Sequence, residues 1–520
     1  MSELKKVDRR KFIYAGLGAA GLIAIGAAAY VAMNPPVVTQ TVTTSTTVPT
    51  TSVVTTTVPT TSVVTTTVPT TSVVTTTTTS VIKPVTITYA THRWPYEMKD
   101  AYERAAALLE KKHPELKTEY IGIPYAELEQ KLATILPTPD APDVVDIGFR
   151  LNLIPYFEPL DEYFQKYNVP VNDFINQKTY GGIWPKEIGG DDHYYVFMRV
   201  VTNYACINYR KDVFKERGIE DPMEIRQKTG KYPQYKFFDE WYEIIKKCTY
   251  ERSDGQKVYG YAVPTALSDG YSRWRVEYLP WHYAFGGGIV RPEEEPGKIV
   301  VGKEPYLSRN VKVAEFFRTL VKEGLVPLGV EKPKYFDMMG LGLVAQGKEG
   351  SWVFARWTNL GEQREKLIGT YPNPYYGSGW KYIKEEFAGN GPSITKNCKH
   401  KDDAFRYIYY LCTDPEIINQ FFVDTLMLPA SKTVDLSPAI AKYPWLDAYD
   451  YVNKALPTEA LYSHHEAYLS INSKNVPIMQ KWPEISQAWF EMYQKVILSN
   501  ENIQDLHIQL QDKLEKIVAL

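Results

Sequence analysis

From Val37 to Ile82 the chain runs for 46 residues without a charge or an aromatic ring, and 28 of them are Thr or Ser. Nothing in that stretch is large enough to build a core, so it divides the chain into an N-terminal apolar segment and a 438-residue remainder. The stretch is nearly a perfect repeat: Thr-Ser-Val-Val-Thr-Thr-Thr-Val-Pro-Thr fills 51–60 and again 61–70, and Pro49, Pro59 and Pro69 mark the ten-residue period. Thr and Val favour extended backbone and Pro forbids helix, which predicts a solvated, disordered stalk over 34–83. At roughly 3.1 Å per residue its contour is on the order of 140 Å. Hydroxyl-dense, Pro-punctuated segments read as O-glycosylated spacers, and an uncharged Thr/Val segment left bare is an aggregation hazard. No Asn-x-Ser/Thr sequon occurs in the chain, so any glycan is expected to be O-linked.

Ahead of the stalk, Lys5, Lys6, Arg9, Arg10 and Lys11 form a basic segment (1–11), followed by an apolar run of 22 residues from Phe12 to Met33. That run is long enough to span a bilayer as a signal anchor, with the basic cluster retained inside. Arg9-Arg10 also resembles a twin-arginine export signal, and Ala27-Ala28-Ala29 offers a cleavage site, although cutting there would leave the stalk untethered. The expected location is therefore the outer face of the cytoplasmic membrane. Gly16-x-Gly18-x-x-Gly21 matches a nucleotide-binding pattern, but no strand precedes it, and small residues in a membrane helix explain it better.

A formal net charge of −2, from 59 basic and 61 acidic residues, argues against non-specific nucleic-acid binding. The four cysteines form no Cys-x-x-Cys and are too scattered for a zinc site or a disulfide framework, so buried thiols are expected. Beyond Pro84 the pattern alternates: strand over Val85–Ala90, helix over Tyr96–Lys112, strand over Lys117–Ile123, helix over Tyr125–Leu136, strand over Asp143–Ile147. Such alternation predicts a parallel sheet with right-handed crossovers and a ligand beyond the carboxyl ends of its strands. A second α/β region follows the apolar run Val200–Tyr209. It has a helix over Phe237–Lys247, strands over Tyr259–Pro264 and Ser351–Ala355, and a series of helices to the C-terminus. Two α/β lobes joined by several extended crossings leave a cleft between them.

The order of segments resembles the extracellular solute-binding proteins of ABC importers, in particular the carbohydrate-binding group that includes maltose-binding proteins. The resemblance rests on Ala141-Pro142-Asp143-Val144-Val145, Asn208-Tyr209-Arg210-Lys211-Asp212-Val213-Phe214, Phe238-Asp239-Glu240-Trp241, Gln346-Gly347-Lys348-Glu349-Gly350-Ser351-Trp352 and Thr413-Asp414-Pro415-Glu416. It implies an α/β fold of the two-lobed periplasmic-binding-protein type II, with a hinge and an interlobe cleft. The domain would occupy 84–520, one lobe formed by about 84–203 and 394–430 and the other by about 204–393 and 431–520. It also implies a permease partner, no cofactor, no metal and no catalysis.

A pyranose presents an apolar face that stacks on aromatic rings and a rim of hydroxyls that need oriented partners. Trp94, Trp274, Trp281, Trp352 and Trp357 lie in or beside expected loops and strand ends. Glu97 and Asp269 could accept hydroxyl hydrogens, and Asn390 lies at an expected crossing. Carried over by resemblance, Arg150 falls in the polar ligand loop and Trp357 at the stacking aromatic. His92, Arg93 and Arg150 would equally suit an acidic sugar, a phosphorylated solute or a peptide carboxylate. Two alternatives stand beside this reading: a membrane-tethered extracellular glycosidase, for which no carboxylate pair is marked among the 61 acids, and a structural surface protein.

Overall fold

The computed structural model describes residues 38–519 apart from 57–63, 94–97, 149–152, 176, 179–181, 185, 187–189, 202–205, 292–293, 361–362, 376–382, 385–389, 456–460, 463–477 and 479–480. The basic segment and the expected anchor helix over 12–33 therefore lie outside the described residues. Among the described residues no helix is long and apolar enough to cross a membrane.

The tract read as a disordered stalk is a two-stranded ribbon: β1 (Val38–Thr56) pairs antiparallel with β2 (Val64–Ile82) in unbroken register. Thr and Val supply the β-preference, and pairing satisfies backbone groups that an isolated strand would leave to water. Each strand has 19 residues and spans roughly 60 Å. Because Val38 lies opposite Ile82, the two ends of the tract are neighbours, and its contour length does not measure a separation. This corrects the picture of a fully extended spacer. The ribbon belongs to a unit formed by 1–86 and 109–118, in which the Val85 N–H donates to the Glu115 carbonyl at 2.9 Å.

The remainder, 87–108 and 119–520, is a second unit. The strands that follow the ribbon are β3 (Val85–Arg93), β4 (Leu116–Pro124), β5 (Val144–Asp146), β6 (Val200–Val201), β7 (Cys206–Arg210), β8 (Gln346–Lys348), β9 (Ile368–Pro372), β10 (Pro392–Ile394) and β11 (Leu428–Pro429). One sheet has the order β10-β5-β3-β4, with β5 parallel to β3 and β10 antiparallel to β5. Helices α1 (Met98–Lys112) and α2 (Tyr125–Ile135) lie between its successive strands, as the alternation predicts. The other sheet, β8-β7-β9, is antiparallel about a central β7 whose five residues are all buried.

Helices complete each lobe: α3 (Lys211–Glu216), α4 (Gly270–Ala284), α5 (Tyr306–Lys322) and α6 (Lys332–Gly340), then α7 (Lys401–Thr413), α8 (Pro415–Thr425), α9 (Asp447–Ala455), α10 (Trp482–Leu498) and α11 (Ile503–Ala519). The apolar positions of α7 recur at helical spacing and are buried: Ala404, Phe405, Tyr407, Ile408, Leu411 and Cys412. The break into α8 is set by Asp414, whose carboxylate accepts from the Glu416 and Ile417 N–H groups, with Pro415 at the first helical position. α4, α5, α10 and α11 pack on one another around Trp274, Tyr278, His282 and Tyr493.

Two expected strands differ. Ser351–Leu360 is 3-10 helix, and its first four residues are buried consecutively. The 259–264 segment makes only single parallel bridges, Tyr259 with Val344 and Ala262 with Gly347.

Among the described residues the chain passes between the two lobes three times, around 199–201, 390–391 and 426–431. β6 pairs with β11, Val200 opposite Pro429 and Val201 opposite Leu428. Val200 also exchanges both backbone hydrogen bonds with Asn390, each at 3.0 Å. All three crossings are thus stitched together at one point.

Candidate functional site

In the first lobe the site begins where β3 and β5 end. Asp143 sets their register: its carboxylate accepts from the Thr88 N–H at 2.9 Å and the Thr88 hydroxyl at 2.7 Å, and its own N–H donates back to Thr88 Oγ1 at 2.8 Å. The Asp of the Ala-Pro-Asp-Val-Val segment is therefore an internal brace. Downstream, Thr91 lies opposite Asp146 and its hydroxyl donates to the Asp146 carbonyl at 2.7 Å. Gly148 then turns the chain with φ of +72°, a conformation that favours glycine. Trp94, Glu97 and Arg150, the sequence-derived candidates on the loops that follow, lie outside the described residues.

Asp146 and Arg199 form a buried ion pair with Nη2 to Oδ2 at 2.5 Å and side-chain exposures of 0% and 3%. The Tyr89 hydroxyl donates to the same carboxylate oxygen, Tyr102 receives Arg199 Nη2 at 3.1 Å, and the guanidinium lies 4.0 Å from the centre of the Phe421 ring. Burial, reinforced by the Asp146 charge, pushes the Tyr89 hydroxyl well above its ordinary range and keeps it a donor. Burial opposes the Arg199 charge, but Asp146, Tyr89, Tyr102 and Cys412 together outweigh it and hold the guanidinium protonated.

The second lobe faces the crossings with the end of β8. Lys348 and Glu349 are wholly buried, and Lys348 Nζ lies 5.3 Å from the centre of the Trp281 ring. The Glu349 carbonyl is held by the Tyr449 hydroxyl at 2.8 Å and by Asn208 Nδ2 at 3.3 Å. Ser351 Oγ donates to the Leu426 carbonyl at 2.5 Å, bonding the start of the 3-10 segment to the third crossing. Trp352 follows directly, 4% exposed and edge-on to Phe336.

Three further candidate tryptophans, Trp274, Trp281 and Trp357, are held in packed interiors. Trp357, 2% exposed, donates its Nε1–H to the Phe336 carbonyl at 2.9 Å and meets Phe354 edge-on. Trp274 donates to the Ala266 carbonyl at 3.1 Å and packs on Phe490, while Trp281 stacks on Trp241. Asp269 ends the short 3-10 turn that leads into α4; its side chain lies outside the description. Asn390 is placed in a crossing, where its backbone carries the bonds to Arg199 and Val200. Among the described residues no group of His, Cys, Asp and Glu side chains could hold a metal ion.

Sequence reasoning passed over Asp146, Arg199, Lys348 and Glu349. For Asp146 and Arg199 the signal was a charge set inside an apolar run, as in Val144-Val145-Asp146 and Phe197-Met198-Arg199-Val200-Val201. Such a charge is buried only when paired.

Two α/β lobes, three bonded crossings and strand ends near them define a solute-binding fold of the periplasmic type II class. The sequence signature described as bacterial extracellular solute-binding protein matches residues 96–416, more than half of the chain. The chain belongs to that family. Maltose-bound MalE3 of T. maritima is similar in fold, with a TM-score of 0.65 at 15% identity over 83% of this chain and 99% of that one. The GacH receptor of Streptomyces glaucescens, solved unliganded and with acarbose, scores 0.63 at 16% identity over 84% and 98%. A solute-binding protein of an ABC transporter from Thermotoga lettingae, bound with α-D-tagatose, scores 0.61 at 17% identity over 83% and 99%. Comparison by sequence with curated proteins finds no match.

Proposed function

We propose that this protein is the substrate-binding component of an ABC importer that captures an extracellular sugar or oligosaccharide between its lobes and presents it to a membrane permease. The observation that carries the reading is the meeting of three crossings at Val200, beside the ends of β3, β5 and β8. That arrangement suits two bodies that rotate about a short bonded hinge. The saccharide reading draws support from the similar folds, solved with maltose, acarbose and tagatose.

In this reading Trp94, Glu97 and Arg150 meet the ligand from the first-lobe loops, and Trp352, packed edge-on to Phe336, borders the site where the 3-10 segment begins. Asp269 and Asn390 border the site. Trp274, Trp281 and Trp357 pack beneath it and hold its floor. Residues 12–33 anchor the protein, and the Thr/Ser tract carries O-linked glycans outside the membrane.

Titration of the purified protein with a glycan panel, with scattering recorded in parallel, tests the proposal. A saccharide that binds and reduces the radius of gyration is expected. Absence of binding across the panel, or cleavage of a bound glycan, would sink it.

A further inference from the structure

We propose that Arg199 and Asp146 are positioning residues that couple the ligand loops of the first lobe to the hinge, an inference that rests on the solute-binding reading above. Arg199 immediately precedes β6. Its N–H donates to the Asn390 carbonyl at 3.1 Å and its carbonyl accepts from the Ala430 N–H at 2.9 Å, so this one residue is bonded to both other crossings. Its side chain leaves the hinge and ends on Asp146, the last residue of β5. The Asp146 carboxylate also gathers Tyr89, and its carbonyl gathers Thr91, so both strands that open into the ligand loops converge on it. On its other side the guanidinium rests on Phe421 of α8. That helix ends at Leu426, whose φ of +55° turns the chain into the third crossing and whose carbonyl receives Ser351 from the second lobe.

A rotation at the crossings therefore displaces Arg199, and Arg199 cannot shift without moving Asp146. A buried ion pair adds little stability over an apolar pair of the same shape. This one also leaves Arg199 Nε, Arg199 Nη1 and Asp146 Oδ1 without a hydrogen-bond partner among the described residues. What it supplies, and apolar packing does not, is direction: a charge-assisted hydrogen bond fixes two atoms in line, whereas methyl groups slide.

The test separates direction from stability. The double variant Arg199→Met/Asp146→Asn keeps bulk, removes both charges and leaves Tyr89 an acceptor, while Arg199→Met alone strands a buried carboxylate. Spin labels at Lys131→Cys on α2 and Lys215→Cys on α3, both exposed positions, report the separation of the lobes, and the four native cysteines are buried away from the label. The double variant should melt near wild type yet show a label-distance distribution at least about twofold broader, with a loss of roughly tenfold or more in glycan affinity. Arg199→Lys, which keeps the charge but not the fork, should lie between the two. An unchanged distance distribution in a folded double variant would overturn the coupling and leave the pair purely structural. Should the double variant not fold, the width for Arg199→Lys decides in the same way. A wild type that binds no glycan would refute the saccharide reading, and the ligand-free distances would still judge the coupling.

Discussion

Replacing Trp357 by alanine distinguishes a ring that belongs to the core from one that faces the ligand. The side chain is 2% exposed, its Nε1–H is bonded inward to Phe336, and Phe354 and Gly340 close around it. A buried tryptophan removes about 200 Å² from water, which at about 25 cal/mol per Å² is about 5 kcal/mol as an upper bound. Alanine retains a small part of this, and partial collapse recovers some of the rest, so Trp357→Ala should cost about 3–5 kcal/mol. Within that figure, about 1 kcal/mol is the hydrogen bond to the Phe336 carbonyl. Trp357→Phe, which keeps an aromatic ring and loses the N–H, should cost roughly 1–2 kcal/mol. Urea unfolding of the three proteins gives the stabilities, and calorimetry with the best-binding glycan gives affinities under conditions where each is folded. A variant within about 1 kcal/mol of wild type that had nonetheless lost its affinity would refute the core placement and return Trp357 to the binding surface.

The buried histidines predict acid sensitivity. Burial pushes His282 down to about 3 and His507 down to about 4, so both are neutral when folded, whereas an unfolded His titrates near 6.5. Their contribution is fully present above pH 6.5 and is lost as pH falls towards the folded values, about 2 kcal/mol each between pH 6.5 and 5. Urea midpoints at the two pH values should show this drop, and His282→Gln should lessen it; an unchanged pH dependence in that variant would count against the burial argument. All four thiols are buried, with Cys248 and Cys398 pushed up to about 12 by burial, so an aromatic disulfide reagent should modify none in the native protein and four after guanidinium unfolding. Deleting residues 1–33 should move the protein from the membrane fraction to the soluble fraction; retention in the membrane would show that the apolar run is not its anchor.

Much of the architecture was already written in local chemistry. The alternation of apolar runs and amphipathic helices from Val85 to Ile147 specifies strand, helix, strand, helix, strand, because a parallel pair needs a crossover and a helix supplies it. Asp414-Pro415-Glu416 specifies a helix start, since the cap and the proline act within one turn. The extended backbone of the Thr/Val repeat is likewise legible through its composition. Whether the repeat stays single or folds back on itself was not, because an extended Thr/Val strand has the same local preference alone or paired.

The site was harder to read for a related reason. A tryptophan looks the same in sequence whether its ring meets a sugar or a carbonyl beneath it, and only the fold brings Phe336 to Trp357 and Ala266 to Trp274. Asp146 and Arg199 are separated by 53 residues, and nothing in either segment names the other. Local sequence determined which segments are strands, helices and caps, since those preferences act over a few residues. Tertiary structure decided which charges are paired and which rings are enclosed, because burial and electrostatic partnership depend on chain segments that meet only when the fold is complete.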